Sequence, residues 1–332
     1  MKITFFSTKP YDKRFFDICN EQYKFDFEYQ ETHLGPHIVN AVQDSEAVCV
    51  FVNDKLNAEV LEILASKGVK TIALRCAGFN NVDLEAAKRL GLNVCRVPAY
   101  SPDAVAEYAV TMMLTLNRKT HKAYNRVREQ NFSLNGLLGF DLNGKTVGIV
   151  GTGKIGYTLC KIMLGFGCKV IAFDLFANKE LESLGVEFLP LMDVFKYSDI
   201  ISLHCPLTDQ THHLVNEETI GMMKDGVMII NTGRGALIDT KAAIEGLKSH
   251  KIGYLGIDVY EQEEKLFFRD LSSNIITDDD IQRLMSFPNV LVTAHQAFFT
   301  EEALHKIAAI TLQSIDCLSK GEAPLESGAL LV

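Results

Sequence analysis

Lys145-Thr-Val-Gly-Ile-Val-Gly-Thr-Gly-Lys-Ile-Gly156, answered further on by Lys169-Val-Ile-Ala-Phe-Asp174, decides how this chain is read. Lys145–Val150 is short, apolar and partly β-branched, the composition of a buried strand. It breaks at Gly151-Thr-Gly153-Lys-Ile-Gly156, after which Ile155, Leu159, Ile162, Met163 and Phe166 recur at helical spacing. A second strand, Lys169–Phe173, stops at Asp174. Strand, glycine turn, helix, strand and acid make up the dinucleotide-binding βαβ pattern. Gly151, Gly153 and Gly156 permit a tight turn and close approach of backbone to a pyrophosphate, which the helix N-terminus stabilises. Asp174 is placed to accept hydrogen bonds from the adenosine ribose. A 2′-phosphate would meet its charge, and Leu175 and Phe176 offer no cation, so NAD is expected over NADP. The run Gly148 to Lys154 also fits a phosphate-binding loop until Ile155, which stands where a Ser or Thr would hold magnesium. Gly148 lies inside the strand, and that reading is rejected.

Length and composition set the frame. A chain of 332 residues suffices for two domains with sizeable cores. Its 47% apolar and 23% charged residues are those of an ordinary globular protein. A net charge of −9 argues against nucleic acid as partner, since that calls for a basic face. The N-terminal apolar run ends at Lys9 and Lys13, too short for a signal peptide, and no run approaches the ~20 residues that span a membrane. Eight scattered cysteines without a CxxC pair read as reduced core thiols, so no disulfide and no metal site is expected. The expected compartment is the cytoplasm.

The fold expected is α/β, with two Rossmann-like, doubly wound parallel-sheet domains. Ile3–Phe6, Ala47–Val52, Lys70–Leu74 and Leu92–Cys95 are strand-like, with a helix over about Ala58–Lys67. Val97-Pro-Ala-Tyr100-Ser-Pro102 has the prolines of a junction. A helix from Asp103 to Arg118 carries an apolar face of Val105, Tyr108, Ala109, Met112, Met113 and Leu116, the methionines serving as core or interface. Asn125 to Gly144 reads as irregular. Beyond Lys145, apolar runs at 199–203, 226–230, 255–257 and 290–293 alternate with helical stretches, the signature of a parallel sheet. A last helix, Thr300 to about Lys320, is expected to return to the first domain. That makes the substrate domain discontinuous, 1–100 with 297–332, around an NAD-binding domain of 101–296.

In open α/β sheets ligands bind at the carboxyl ends of strands. Here those ends deliver His204-Cys205-Pro206, Asn231-Thr232-Gly233-Arg234, Asp258 and His295. Hydride transfer to a ketone needs a carbonyl held, polarised and protonated. The planar fork of Arg234 suits the carboxylate of a 2-oxo acid. His295, ending the seventh strand of its domain, is the best placed proton donor. A histidine acid needs an orienting carboxylate, and Glu261, Glu263 and Glu264 are open candidates. Arg75-Cys-Ala-Gly78 follows a strand, and its amides could hold a small anion. His33 and His37 flank Gly35-Pro36 and share no helical face for a metal.

Several stretches together resemble the D-2-hydroxyacid dehydrogenase family, most nearly its bacterial fermentative branch. They are Ser7-Thr-Lys-Pro-Tyr-Asp12, Ala73-Leu-Arg-Cys-Ala-Gly-Phe-Asn-Asn-Val-Asp83, Val97-Pro-Ala-Tyr100, the glycine loop, Ile201-Ser-Leu-His-Cys-Pro-Leu207, Asn231-Thr-Gly-Arg-Gly-Ala-Leu-Ile-Asp239, Asp258-Val-Tyr-Glu261 and Ala294-His-Gln-Ala-Phe298. The match spans essentially the whole chain. The resemblance implies NADH-dependent reduction of pyruvate, with Arg234 on the substrate, His295 transferring the proton and Glu263 orienting it. It implies that amides near Ala77 and Gly78 meet the substrate carboxylate and that Phe51, Tyr100 and Phe298 line its side chain. NAD contacts would come from Ile155, Gly156, Asp174, Cys205, Pro206, Thr232, Gly233 and Asp258. Thr211 stands where some relatives carry a cofactor-touching Asn. The family implies a homo-oligomer, dimer or tetramer, built on the nucleotide domains through the Asp103–Arg118 helix and the loop after it. The alternatives are a bulkier or phosphorylated 2-oxo acid as substrate, the latter needing cations beyond Arg75 and Arg234, or a non-catalytic NADH sensor.

Overall fold

The computed structural model describes residues 1–332 apart from the side chain of Lys265. It divides into two compact units, Met1–Ser101 with Phe299–Val332, and Pro102–Phe298. Both are Rossmann-like.

The first unit contains β1 (Lys2–Phe5), α1 (Pro10–Asn20), β2 (Asp26–Tyr29), β3 (Ala47–Val50), α2 (Ala58–Ser66), β4 (Thr71–Leu74), α3 (Leu84–Arg89) and β5 (Asn93–Arg96). The sheet order is β2-β1-β3-β4-β5, and every pairing is parallel. Val48, Val50, Ile72, Leu74 and Val94 pack against Val60, Leu61 and Leu64 of α2. Ala47–Val50 and Thr71–Leu74 are buried throughout, which is why they read as continuous apolar runs rather than alternating ones. The chain runs from β1 to β2 and then crosses to β3 on the other side, so the order in which strands are added switches between β1 and β3.

The second unit runs through α4 (Pro102–Arg118), α5 (Thr120–Arg128), β6 (Thr146–Val150), α6 (Lys154–Gly165), β7 (Lys169–Phe173), α7 (Lys179–Ser183), β8 (Glu187–Phe188), α8 (Leu191–Tyr197), β9 (Ile200–Leu203), α9 (Glu217–Met222), β10 (Val227–Asn231), α10 (Thr240–Lys248), β11 (Ile252–Ile257), α11 (Asp279–Ser286) and β12 (Val290–Val292). Its parallel sheet is ordered β12-β11-β10-β9-β6-β7-β8. The period of two in each strand splits the core into two layers. Val150, Ile201, Ile229 and Leu255 enter one, while Val147, Ile149, Ile200, Met228 and Ile230 enter the other with Met112, Met113 and Leu116 of α4. The two methionines are core. Burying each contributes on the order of 1.5–3 kcal/mol. Thr120–Arg128 is helical, where an irregular stretch from Asn125 was expected. None of its residues is buried, so no apolar period marks it.

The final helix, α12 (Glu301–Ser319), starts at Thr300, whose side chain accepts from the Ala303 amide. It packs on α1, β4 and β5 within the first unit. No helix among the described residues is long and apolar enough to cross a membrane.

Candidate active site

In the second unit the chain leaves β6 towards β7 and β8, then crosses to β9 on the other side, so the switch point lies between the ends of β6 and β9. Sterics build the glycine turn there. Gly151 has φ +92°, and a Cβ would sit 2.6 Å from the Cys205 amide nitrogen. At Gly156 a Cβ would overlap the Gly151 carbonyl oxygen. Backbone crowds both positions and cannot yield. Gly153 is different, because nothing lies within 4 Å of its would-be Cβ. It is the N-cap of α6 and gives no side chain to the helix amides. An open groove of about 470 Å³, lined by Thr152, Gly153, Lys154, Tyr157, Thr158 and Asn178, covers this end. Free space, uncapped amides and the helix dipole fit a pyrophosphate. Ile155 packs on the core layer beneath.

A second mark of a missing partner is Thr232, whose buried hydroxyl has no hydrogen-bond partner among the described residues. It lies just past β10, followed by Gly233, whose amide donates to Asn231 Oδ1 at 3.0 Å. These residues fit a dinucleotide.

The other expected cofactor contacts are already engaged in part. Asp174 Oδ2 accepts from the Thr152 amide at 2.6 Å and the Thr152 hydroxyl at 2.9 Å. Burial pushes its acidity down, but these hydrogen bonds and those from Leu175 and Phe176 outweigh it and hold the carboxyl below its ordinary value. Asp258 is fully buried. Its Oδ1 accepts from the Thr293 hydroxyl at 2.6 Å and the Gln296 amide at 2.9 Å, and its Oδ2 accepts from the Ala297 amide at 2.9 Å. The carboxylate therefore staples the segment that carries His295. Thr211 closes its own loop, donating to the Pro206 carbonyl at 2.6 Å and accepting from the Thr208 amide at 2.7 Å. Next to the glycine turn, burial pushes the Cys205 thiol up to about 11 and the His204 ring down to about 4. His204 Nε2 sits 2.8 Å from the Ser202 hydroxyl.

The polar groups after β10, β11 and β12 have defined partners. Arg234 is partly buried; its Nη1 donates to the Gly233 carbonyl at 2.8 Å, and the Arg234 carbonyl accepts from Asn231 Nδ2 at 2.8 Å. His295 has φ +52°, uncommon for a non-glycine residue, and its amide donates to the Asp258 carbonyl at 2.7 Å. Its Nδ1 lies 2.9 Å from Glu263 Oε1. Glu263 Oε2 accepts from the Tyr260 amide at 3.0 Å. A carboxylate only accepts, so Nδ1 carries the hydrogen and Nε2 is left as the atom that gives or takes a proton. The three acids that spacing left open thus separate: Glu263 meets His295, Glu261 binds His213 at 2.7 Å, and Glu264 is exposed. Thr152, Thr293 and His213, which hold these groups, carry no distinguishing signal in the sequence.

In the first unit, Phe51 follows β3. Its amide donates to Asp54 Oδ2 at 2.6 Å, and Asn81 Nδ2 donates to its carbonyl at 2.9 Å. Arg96 Nη1 donates to the Ala77 carbonyl at 2.9 Å, and Cys76 Sγ lies 3.2 Å from the Gly78 carbonyl. Ala77, Gly78 and Tyr100 are half-buried, and Phe298, in the second unit, is buried. Arg75 is not a free cation. Its side chain is 2% exposed, pairs with Asp12 at 3.2 Å, donates to the Ser7 carbonyl at 2.8 Å and stacks on Phe51. No cluster of residues able to hold a metal ion occurs among the described residues.

A parallel-sheet domain with an open glycine turn, an acid ending its second strand and a carboxylate-held histidine after its last is that of an NAD-dependent oxidoreductase. Residues 110–297 match the family model of the D-isomer specific 2-hydroxyacid dehydrogenase NAD binding domain. D-lactate dehydrogenase of Escherichia coli is 54% identical over 322 residues, 97% of this chain and 98% of that one. The apo-structure of the E. coli D-lactate dehydrogenase superposes with a TM-score of 0.92 at 52% identity, covering 100% of both chains. A D-lactate dehydrogenase from Aquifex aeolicus complexed with NAD and lactic acid superposes with a TM-score of 0.87 at 35% identity, covering 99% of each. The chain belongs to the D-isomer-specific 2-hydroxyacid dehydrogenase family, and its cofactor is NAD.

Proposed function

We propose that this chain is a D-lactate dehydrogenase that reduces pyruvate to D-lactate with NADH. The observation that carries the reading is the 2.9 Å contact between His295 Nδ1 and Glu263 Oε1. NADH, when bound, supplies the hydride for the keto carbon. Arg234 holds the substrate carboxylate with its fork, helped by the amides near Ala77 and Gly78, and thereby orients the keto group. As charge develops on the keto oxygen, protonated His295 donates from Nε2 and becomes neutral, while Glu263 fixes the orientation of the ring through Nδ1. In the reverse direction neutral His295 takes the hydroxyl proton. The family resemblance assigns the lining of the substrate's side chain to Phe51, Tyr100 and Phe298. The relatives named D-lactate dehydrogenase support pyruvate as the substrate. The burial of Arg75 against Asp12 counts against a phosphorylated substrate.

We also propose that the protein is a homo-oligomer, with no nucleic-acid or membrane partner. Tyr124, Val127, Phe132, Leu134 and Leu138, which follow α4 in sequence, are all exposed, and large apolar side chains left on the surface suit a protein contact.

NADH oxidation measured across pyruvate, phenylpyruvate, glyoxylate and hydroxypyruvate tests the function. The highest kcat/KM is expected with pyruvate. A preference for phenylpyruvate would point to a bulkier substrate, and no oxidation with any of the four would favour a sensing role.

A further inference from the structure

The turn carrying Arg234 and the segment Tyr260–Glu263 meet at Gly235, where a Cβ would overlap the Tyr260 carbonyl group. Close packing alone leaves two such loops free to slide. Glu261 ties them. Its Oε1 lies 2.7 Å from His213 Nε2, and its Oε2 accepts from the Thr240 amide at 2.9 Å and from the Thr240 hydroxyl. Thr240 opens α10, the helix into which the Arg234 turn runs. His213 reaches the same turn by its backbone, its amide donating to the Ala236 carbonyl at 2.8 Å. Val215 donates to the Leu237 carbonyl at 3.0 Å and accepts from the Asp239 amide at 2.9 Å, so the strap is continuous with the end of the turn. Asp239 Oδ2 stands 3.9 Å from His213 Nδ1, and the His212 ring stacks on His213 at 3.9 Å, closing the site from the other side. His213 holds φ +50°, a backbone state rare without glycine that persists only where its surroundings enforce it.

Two residues further on, Glu263 faces His295. We infer that Glu261 is a positioning residue that fixes the Arg234 turn relative to the Glu263–His295 pair, through His213 and Thr240. It touches no reacting atom. This rests on the roles proposed above for Arg234 and Glu263. Displacing a substrate anchor by ~1 Å costs a reaction of this kind on the order of 100-fold, so loosening the strap acts on substrate binding and turnover and leaves cofactor binding alone.

The test compares Glu261→Ala, Glu261→Gln and His213→Gln with the unaltered protein, reading kcat and KM for pyruvate, the Kd of NADH and Tm. Glu261→Ala is expected to raise the pyruvate KM about tenfold and lower kcat, with the NADH Kd unchanged. Glu261→Gln keeps an acceptor for Thr240 and a partner for His213, and should recover most of the loss. His213→Gln breaks one arm only and should fall between the two, which keeps the inference testable if Glu261→Ala folds poorly. A lower Tm with unchanged pyruvate kinetics in Glu261→Ala and His213→Gln would overturn it, as would a loss of NADH affinity equal to the loss for pyruvate. Arg234→Gln separates the two layers of the reading. If it abolishes pyruvate binding while Glu261→Ala does not weaken it, the strap is refuted and the role of Arg234 stands; if Arg234→Gln leaves pyruvate binding intact, the role of Arg234 itself is wrong.

Discussion

Gly153→Ala separates the needs of the fold from those of the cofactor. Gly153 has φ −59° and ψ −169°, a conformation open to alanine, and no atom lies within 4 Å of the added methyl. Folding should lose nothing. With fewer unfolded conformations, stability should be unchanged or higher by about 0.4–1 kcal/mol. The methyl instead enters the space in which a pyrophosphate would approach the α6 amides. NADH affinity should fall at least tenfold, about 1.4 kcal/mol. Gly156→Ala is the control, because its methyl would overlap the Gly151 carbonyl. There both Tm and NADH affinity should fall. Calorimetry and an NADH fluorescence titration read the two quantities on each variant. If Gly153→Ala binds NADH as tightly as the unaltered protein, the pyrophosphate does not lie over this turn and the reading of the loop fails.

Asp174→Ala removes the charge that would repel a 2′-phosphate, so the kcat/KM preference for NADH over NADPH should fall at least tenfold, about 1.4 kcal/mol; an unchanged ratio would mean the ribose is read elsewhere. Glu263→Gln keeps a hydrogen-bonding group beside His295 Nδ1 but removes its charge, so kcat for pyruvate reduction should fall on the order of 100-fold while the pyruvate KM, set by Arg234, changes little. A larger effect on KM than on kcat would reassign Glu263 to substrate binding. His204 is held near 4 in the folded protein, below its ordinary value of about 6.5. Between those values the unfolded chain binds the extra proton, so stability rises with pH across the window and is lost as pH falls through it. His204→Asn should flatten the Tm-against-pH profile between pH 4.5 and 6.5, taken as roughly the span of that window; an unaltered slope would place its origin in another group.

The βαβ unit around the glycine turn was legible because each of its parts carries its own period: β6 and β7 are apolar runs, and α6 buries Leu159, Cys160 and Met163 at helical spacing. α5 was not, because Thr120–Arg128 is polar and buries nothing. At the site, residue type and strand-end position made Arg234 and His295 the candidates proposed here. Choosing among Glu261, Glu263 and Glu264 was beyond spacing, since the turn after β11 sends neighbouring acids in different directions. Arg75 shows the limit most plainly. Its partner Asp12 is 63 residues away, and no local pattern separates a buried, paired guanidinium from a free one. The same holds for Asp258, whose carboxylate is taken up by Thr293, Gln296 and Ala297.

The most direct test of the account is the configuration of the product made from pyruvate and NADH. The purified protein is incubated with both, NADH loss is followed by absorbance, and the lactate formed is resolved on a chiral column. One lactate is expected per NADH oxidised, all of it the D enantiomer. L-lactate, a racemic product, or pyruvate left unreduced while NADH is bound would contradict it.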